Sequence, residues 1–121
     1  STGRLVDANV TWVRTVAPGP VPRCGYFVES GSGPNSAVRM PLDGPLLPAE
    51  WTAEINYLAN GEGAILLSLS EGPETKVAVH PGLNRVFVRL SGAGDAITVR
   101  ATTAALAVCL ASGPVGYLAP H

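Results

Sequence analysis

An all-β fold, an antiparallel two-sheet β-sandwich of jelly-roll type, is what this sequence predicts. Three observations carry the expectation. Short segments between Trp51 and Leu118 alternate apolar and polar residues. Clusters of Gly, Pro, Asn and Ser interrupt them at the spacing of a sheet protein. Two cysteines, Cys24 and Cys109, frame most of the run. The chain has 121 residues, which suits a single domain over 1–121. Hydrophobic residues make up 46% and charged residues 14%, so there is enough apolar surface to offset chain entropy. With 14 Gly and 11 Pro the chain turns too often for a helical bundle.

The elements follow from the side-chain period of two. Ala8 to Val16 reads as a first strand, with Val10, Trp12, Arg14 and Val16 on one face. The proline-rich stretch Ala17 to Pro22 ends it, because proline has no N–H to give to a ladder. Cys24 to Glu29 is a short strand, and Ser30 to Asn35 a turn-rich loop. Ser36 to Met40 is a further strand, with a long loop from Pro41 to Pro48 behind it. Trp51 to Asn60 alternates most cleanly. Trp51, Ala53, Ile55, Tyr57 and Ala59 point one way; Thr52, Glu54, Asn56, Leu58 and Asn60 point the other. A helix competes there, since Ala and Glu favour one, but the strict alternation and the brake at Gly61 to Gly63 favour a strand.

Ala64 to Ser70 is the next strand, followed by a turn at Glu71 to Pro73. Thr75 to His80 ends at Pro81-Gly82. Asn84 to Leu90 sets Val86, Val88 and Leu90 opposite Arg85, Phe87 and Arg89. Ser91 to Asp95 reads as a tight turn, and Ala96 to Ala101 resumes with Ile97, Val99 and Ala101 inward. Leu106 to Ala111 and Val115 to Leu118 complete the set, joined by Ser112-Gly113-Pro114. Two sheets built from these strands would pack about 10 Å apart.

Cys24 and Cys109 stand 85 positions apart. A disulfide between them would stabilise the fold by up to roughly 4–5 kcal/mol through the closed loop, and would place the chain in an oxidising, extracytoplasmic compartment. The alternative is a pair of buried free thiols. Net charge is −1, so there is no basic field to draw a phosphate backbone, and nucleic acid is not an expected partner. No apolar run approaches the ~20 residues that span a bilayer. The chain reads as a piece excised from a larger protein.

No catalytic constellation emerges. A serine nucleophile elbow is missing, His80 reads as a solvated turn residue, and the carboxylates show no local pairing. A carbohydrate face is the more natural chemistry. Sugars present apolar CH faces ringed by hydroxyls, which suit an exposed aromatic ring beside amide, carboxylate and guanidinium groups. Two stretches offer such groups: Glu54 with Asn56, and Arg85, Phe87, Arg89 with Arg100. The competing reading packs Phe87 under a loop and leaves the arginines to solvate the sheet. Trp12, Trp51 and Tyr57 share faces with aliphatic residues and read as core. A structural Ca²⁺ would draw on Asp7, Asn9, Asp43 and Asp95 as oxygen donors.

Four motifs occur in order from Cys24 onward: Cys24-Gly25 opening a strand, WTAEINYLAN from Trp51, HPGLNRVFVRLSG from His80, and VCLASGPVG around Cys109. Over about three quarters of the chain they resemble the C-terminal extracytoplasmic carbohydrate-binding-like β-sandwich of actinobacterial membrane glycosyltransferases, the arabinofuranosyltransferases in particular. The resemblance implies a non-catalytic accessory domain at the outer face of a bacterial cell membrane. Such a domain would hold arabinan or a related cell-wall polysaccharide for a transmembrane enzyme. The alternative is a domain that docks on its own membrane portion or on a partner protein without binding sugar.

Overall fold

The computed structural model describes residues 24–31, 36–111 and 118–120, without the side chains of 24, 25, 43, 111 and 118–120. The strand expected at Ala8 to Val16, with Trp12, lies outside the described residues, as do the proline-rich stretch and Ser112-Gly113-Pro114. Seven strands are described: β1 (Cys24–Glu29), β2 (Ala37–Ala59), β3 (Gly63–Glu71), β4 (Thr75–Val79), β5 (Gly82–Ala101), β6 (Ala107–Ala111) and β7 (Leu118–Pro120). All pair antiparallel. They form one hydrogen-bonded sheet in the order β1-β6-β2-β5-β3-β4, with β7 on β2. The fold is all-β. Among the described residues no helix is long and apolar enough to cross a membrane.

Two expected interruptions are not interruptions. Pro41 to Pro48, read as a loop, belongs to the 23-residue strand β2. Ser91 to Asp95, read as a tight turn, lies inside the 20-residue strand β5. The two irregular stretches face each other. Pro41 pairs with Ala96, Leu46 with Gly94 and Ala49 with Gly92, with register shifts between these pairs. Proline removes a donor but its φ suits extended backbone, so the ladder loses regularity without losing direction. Gly92 and Gly94 adopt φ of 132° and 124°, a region closed to most side chains. A Cβ on Gly92 would run into the Glu71 carbonyl, so the glycine also permits a close crossing by the end of β3.

The core pattern changes phase across this bend. In β2 the positions that enter the central cluster are Val38 and Met40 before it, and Ala53, Ile55, Tyr57 and Ala59 after it; Leu58 is buried too, but outside that cluster. In β5 they are Val88 and Leu90 before, and Ile97, Val99 and Ala101 after, with Ala96 buried outside the cluster. Even positions give way to odd ones in both strands. An odd number of unpaired residues taken up in each strand does this, as β-bulges do; eight residue steps of β2, Pro41 to Ala49, run against four of β5, Gly92 to Ala96. Beyond the bend β5 gains a second neighbour, β3, which pairs with it from Ile65 opposite Ala101 to Glu71 opposite Ala93. On the other half, β2 is flanked by β6 at Tyr57 to Ala59 and by β7 at Trp51 to Ala53.

Both halves feed one buried cluster, which includes Val28, Met40, Ile55, Leu67, Leu90, Ile97 and Leu110. Tyr57, read as core, is buried there. Its hydroxyl accepts from the His80 amide at 3.0 Å, which satisfies a polar atom that burial would otherwise strand. Trp51 is half-buried against the cluster, its Nε1 donating to the Leu47 carbonyl at 3.1 Å. Asn60 organises the turn before β6: it donates to the Ala105 carbonyl at 3.2 Å and accepts from the Ala107 amide at 2.9 Å. That brace holds Ala105 at a φ of 62°.

Leu67 is 0% exposed, so Leu67→Ala is expected to cost about 2–5 kcal/mol in urea unfolding. Gly92→Ala is expected to cost roughly 1–3 kcal/mol through backbone strain and the Glu71 clash, whereas Gly44→Ala, where a Cβ meets nothing within 4 Å, changes little.

Candidate functional site

The outer face of the β2/β5 pair brings together residues that lie far apart in sequence. Directly opposed residues in an antiparallel pair share a face. Thr52 stands opposite Arg89, Glu54 opposite Phe87, Asn56 opposite Arg85, and Leu58 opposite Leu83. The two stretches singled out in the sequence, Glu54/Asn56 and Arg85/Phe87/Arg89, are thus a single patch. Phe87 is 57% exposed, so it does not pack beneath a loop. The face is turned outward because Ala53, Ile55 and Val88, the intervening residues, are committed to the core.

The patch is organised around Glu54, which is half-buried. Arg85 Nη1 lies 3.5 Å from Glu54 Oε2, and Asn56 Nδ2 donates to the same oxygen at 3.3 Å. The Arg85 guanidinium carbon sits 5.7 Å from the centroid of the Phe87 ring, within cation–π range. One carboxylate therefore holds an amide and a guanidinium beside a bare aromatic ring. No ion pair or hydrogen bond is made by the Arg89 side chain among the described residues.

Arg100 is not part of this patch. It lies beyond the bend, opposite Ala37 on β2 and Leu66 on β3. Its Nε and Nη2 donate to the two carboxylate oxygens of Glu74 at 2.9 and 3.0 Å. This bidentate hydrogen bond holds the Glu74 carboxyl below its ordinary range and raises Arg100. Sequence alternation alone puts Arg100 on an outer face, as it does Arg85, Phe87 and Arg89. The Gly92–Gly94 bend, invisible to that alternation, divides them.

The other candidates are dispersed. Asp95, considered as a calcium donor, is paired with Arg39 at 2.8 Å. Asp7 and Asn9 lie outside the described residues, and so does the side chain of Asp43. No three His, Cys, Asp or Glu residues cluster as metal ligands among the described residues. His80 is exposed, its Nδ1 3.5 Å from Glu62 Oε1.

Cys24 opens β1 opposite Ala111, and Cys109 stands opposite Phe27, two positions along β6. The cysteines are therefore diagonal neighbours on adjacent strands. Cys109 is buried. A row of apolar residues, Leu83, Leu58, Cys109 and Phe27, crosses the sheet beside the polar patch. No single segment of the sequence shows this row, because its members come from four strands.

The chain matches no protein-family profile, no curated protein and no solved structure.

Glu74 has a depressed carboxyl in the folded state, so its contribution to stability is present above the unfolded value and is lost as pH falls through the folded one. An NMR titration is expected to place the Glu74 midpoint below that of an unpaired glutamate, and Arg100→Gln is expected to return it to the ordinary range.

Proposed function

We propose that the chain is a non-catalytic glycan-binding module whose binding face is the outer surface of β2 and β5. The exposure of Phe87 carries this reading. A bare aromatic ring on a sheet costs apolar hydration unless something stacks on it, and here it is ringed by Glu54, Asn56, Arg85 and Arg89. The ring would stack on the CH face of a sugar, while the amide and charged groups hydrogen-bond its hydroxyls. An open sheet face suits an extended polysaccharide better than an isolated monosaccharide. The resemblance to the extracytoplasmic domains of arabinofuranosyltransferases suggests arabinan as the glycan, and a transmembrane glycosyltransferase as the parent protein. In that setting the domain would position the growing polymer at the periplasmic face of a bacterial membrane, and the chemistry would lie elsewhere in the parent.

Two structural features belong to the same proposal. The bend shared by β2 and β5 would fold the sheet over its own core as the two layers of a sandwich, with corner strands passing from one layer to the other. A Cys24–Cys109 disulfide would tie β1 to β6 in an oxidising compartment. Their placement on neighbouring strands brings them near each other. Diagonal neighbours in a regular ladder stand about 7–8 Å apart, so the bridge would draw on the register shift beside Cys24 to bring the two Cα atoms within about 4.4–6.8 Å.

Isothermal titration with arabinan and galactan fragments tests the glycan reading. Millimolar or tighter binding is expected, weakened about tenfold in Phe87→Ala, a loss of ~1.4 kcal/mol. No heat at millimolar ligand would reject it. For the disulfide, alkylation of the denatured chain is expected to label neither cysteine before reduction and both after it. Labelling of both without reduction would reject the bridge.

A further inference from the structure

The N-terminal half of β5 is, among the described residues, an open sheet edge. Among the described residues, β5 pairs on both sides only from Ala93 onward; Gly82 to Gly92 pair with β2 alone. The carbonyl of Arg89 accepts from Thr75 Oγ1 at 3.4 Å, and Thr75 belongs to β4, on the side away from β2. In an antiparallel strand the N–H and C=O of one residue point the same way, and successive residues alternate. Leu83, Arg85, Phe87 and Arg89 therefore turn their backbone groups outward. The even-numbered residues between them bond to β2.

The same four residues carry the exposed side chains of this edge. Among the described residues three large hydrophobics are exposed: Leu47, Leu83 and Phe87. Two of them stand four residues apart on this edge, on one face. A sheet edge with outward donors and acceptors beside exposed apolar side chains is a template for another strand.

The charge pattern selects the occupant. If two copies of this edge pair about Phe87, Arg85 of one meets Arg89 of the other. If they pair about Arg85, the two Arg85 side chains meet. Pairing about Val86 avoids both contacts, but sets Leu83 against Arg89 and Phe87 against Arg85, so the exposed face has no apolar pair. Like charges directly opposite are destabilising, so the arginines disfavour self-association. A foreign strand meets no such conflict if it offers apolar residues opposite Leu83 and Phe87 and a carboxylate opposite Arg89. Arg85 already has Glu54 as its counter-ion, whereas Arg89 has none among the described residues.

We propose that the Leu83–Arg89 edge of β5 binds an extended segment of a protein partner by strand addition, and that this segment alternates apolar residues with a terminal acidic one. The inference goes beyond the glycan reading, because the main-chain groups of the edge carry it. Panning a random nonapeptide phage library against the whole chain tests it. Enriched sequences are expected to carry two apolar residues four positions apart and an Asp or Glu two positions from one of them. A synthetic copy of the most enriched sequence is expected to protect the amides of Leu83, Arg85 and Phe87 from hydrogen exchange. N-methylation of its alternate amides should weaken binding at least tenfold. Arg85→Pro, which removes an outward N–H that the fold does not use, should do the same. The N-methylated peptide keeps the test decisive if that variant unfolds. The proposal is overturned if no sequence is enriched, if N-methylation leaves binding unchanged, or if protection falls on other strands. It is also overturned if sedimentation shows a dimer that Arg85→Pro abolishes, since the occupant is then a second copy. Failure of arabinan and galactan to bind leaves it standing.

Discussion

The paired bend in β2 and β5 is the constraint on which the rest of this structure depends. Both strands change side-chain phase across it, and they do so opposite one another. Had only one strand shifted, its partner would have kept the old alternation and turned apolar residues to solvent along half the ladder. Because both shift, two long strands bury residues in both halves of the sheet and feed a single core. Prolines on one side and positive-φ glycines on the other supply the shift by different means. The prolines withhold ladder donors, and the glycines enter a region of φ that admits a close crossing by β3.

That bend also sets the surface. On one side of it β5 is enclosed between β2 and β3, and Arg100 is tied to Glu74. On the other side β5 has no second neighbour among the described residues, and the outer face holds Phe87 with Glu54, Asn56, Arg85 and Arg89. The exposed aromatic and the open backbone edge are thus consequences of one topological fact, the departure of β3 from β5 at Glu71. The glycan reading uses the side chains of this region, and the strand-addition reading uses its main chain.

Energetically the patch is modest. Arg85 and Glu54 form a partly exposed pair at 3.5 Å, and such pairs contribute about 0–1 kcal/mol to folding. The value of Glu54 lies in order: it fixes Arg85 and Asn56 in one arrangement beside Phe87, which lowers the entropy a ligand would have to remove. The same holds for Tyr57 and Asn60. Their hydrogen bonds to His80, Ala105 and Ala107 secure the connections around β2.

The alternation of residues along Trp51 to Ala59 and along Val86 to Leu90 sufficed to assign strands, to sort inner from outer side chains, and to mark Glu54, Asn56, Arg85, Phe87 and Arg89 as outward. Side-chain period is a local property, so a single sequence carries it. What it lacks is partnership. Pro41 to Pro48 and Ser91 to Asp95 have the composition of a loop and a turn, and only their pairing across the ladder keeps them extended. Arg100 has the alternation of the Arg85 face, yet the bend removes it to another part of the sheet. That Glu54 stands opposite Phe87, that Cys24 lies diagonal to Cys109, and that β5 has an edge bare of other described strands were decided by register. Register is settled by which apolar faces can be buried together, a property of the whole chain and of no single segment of it.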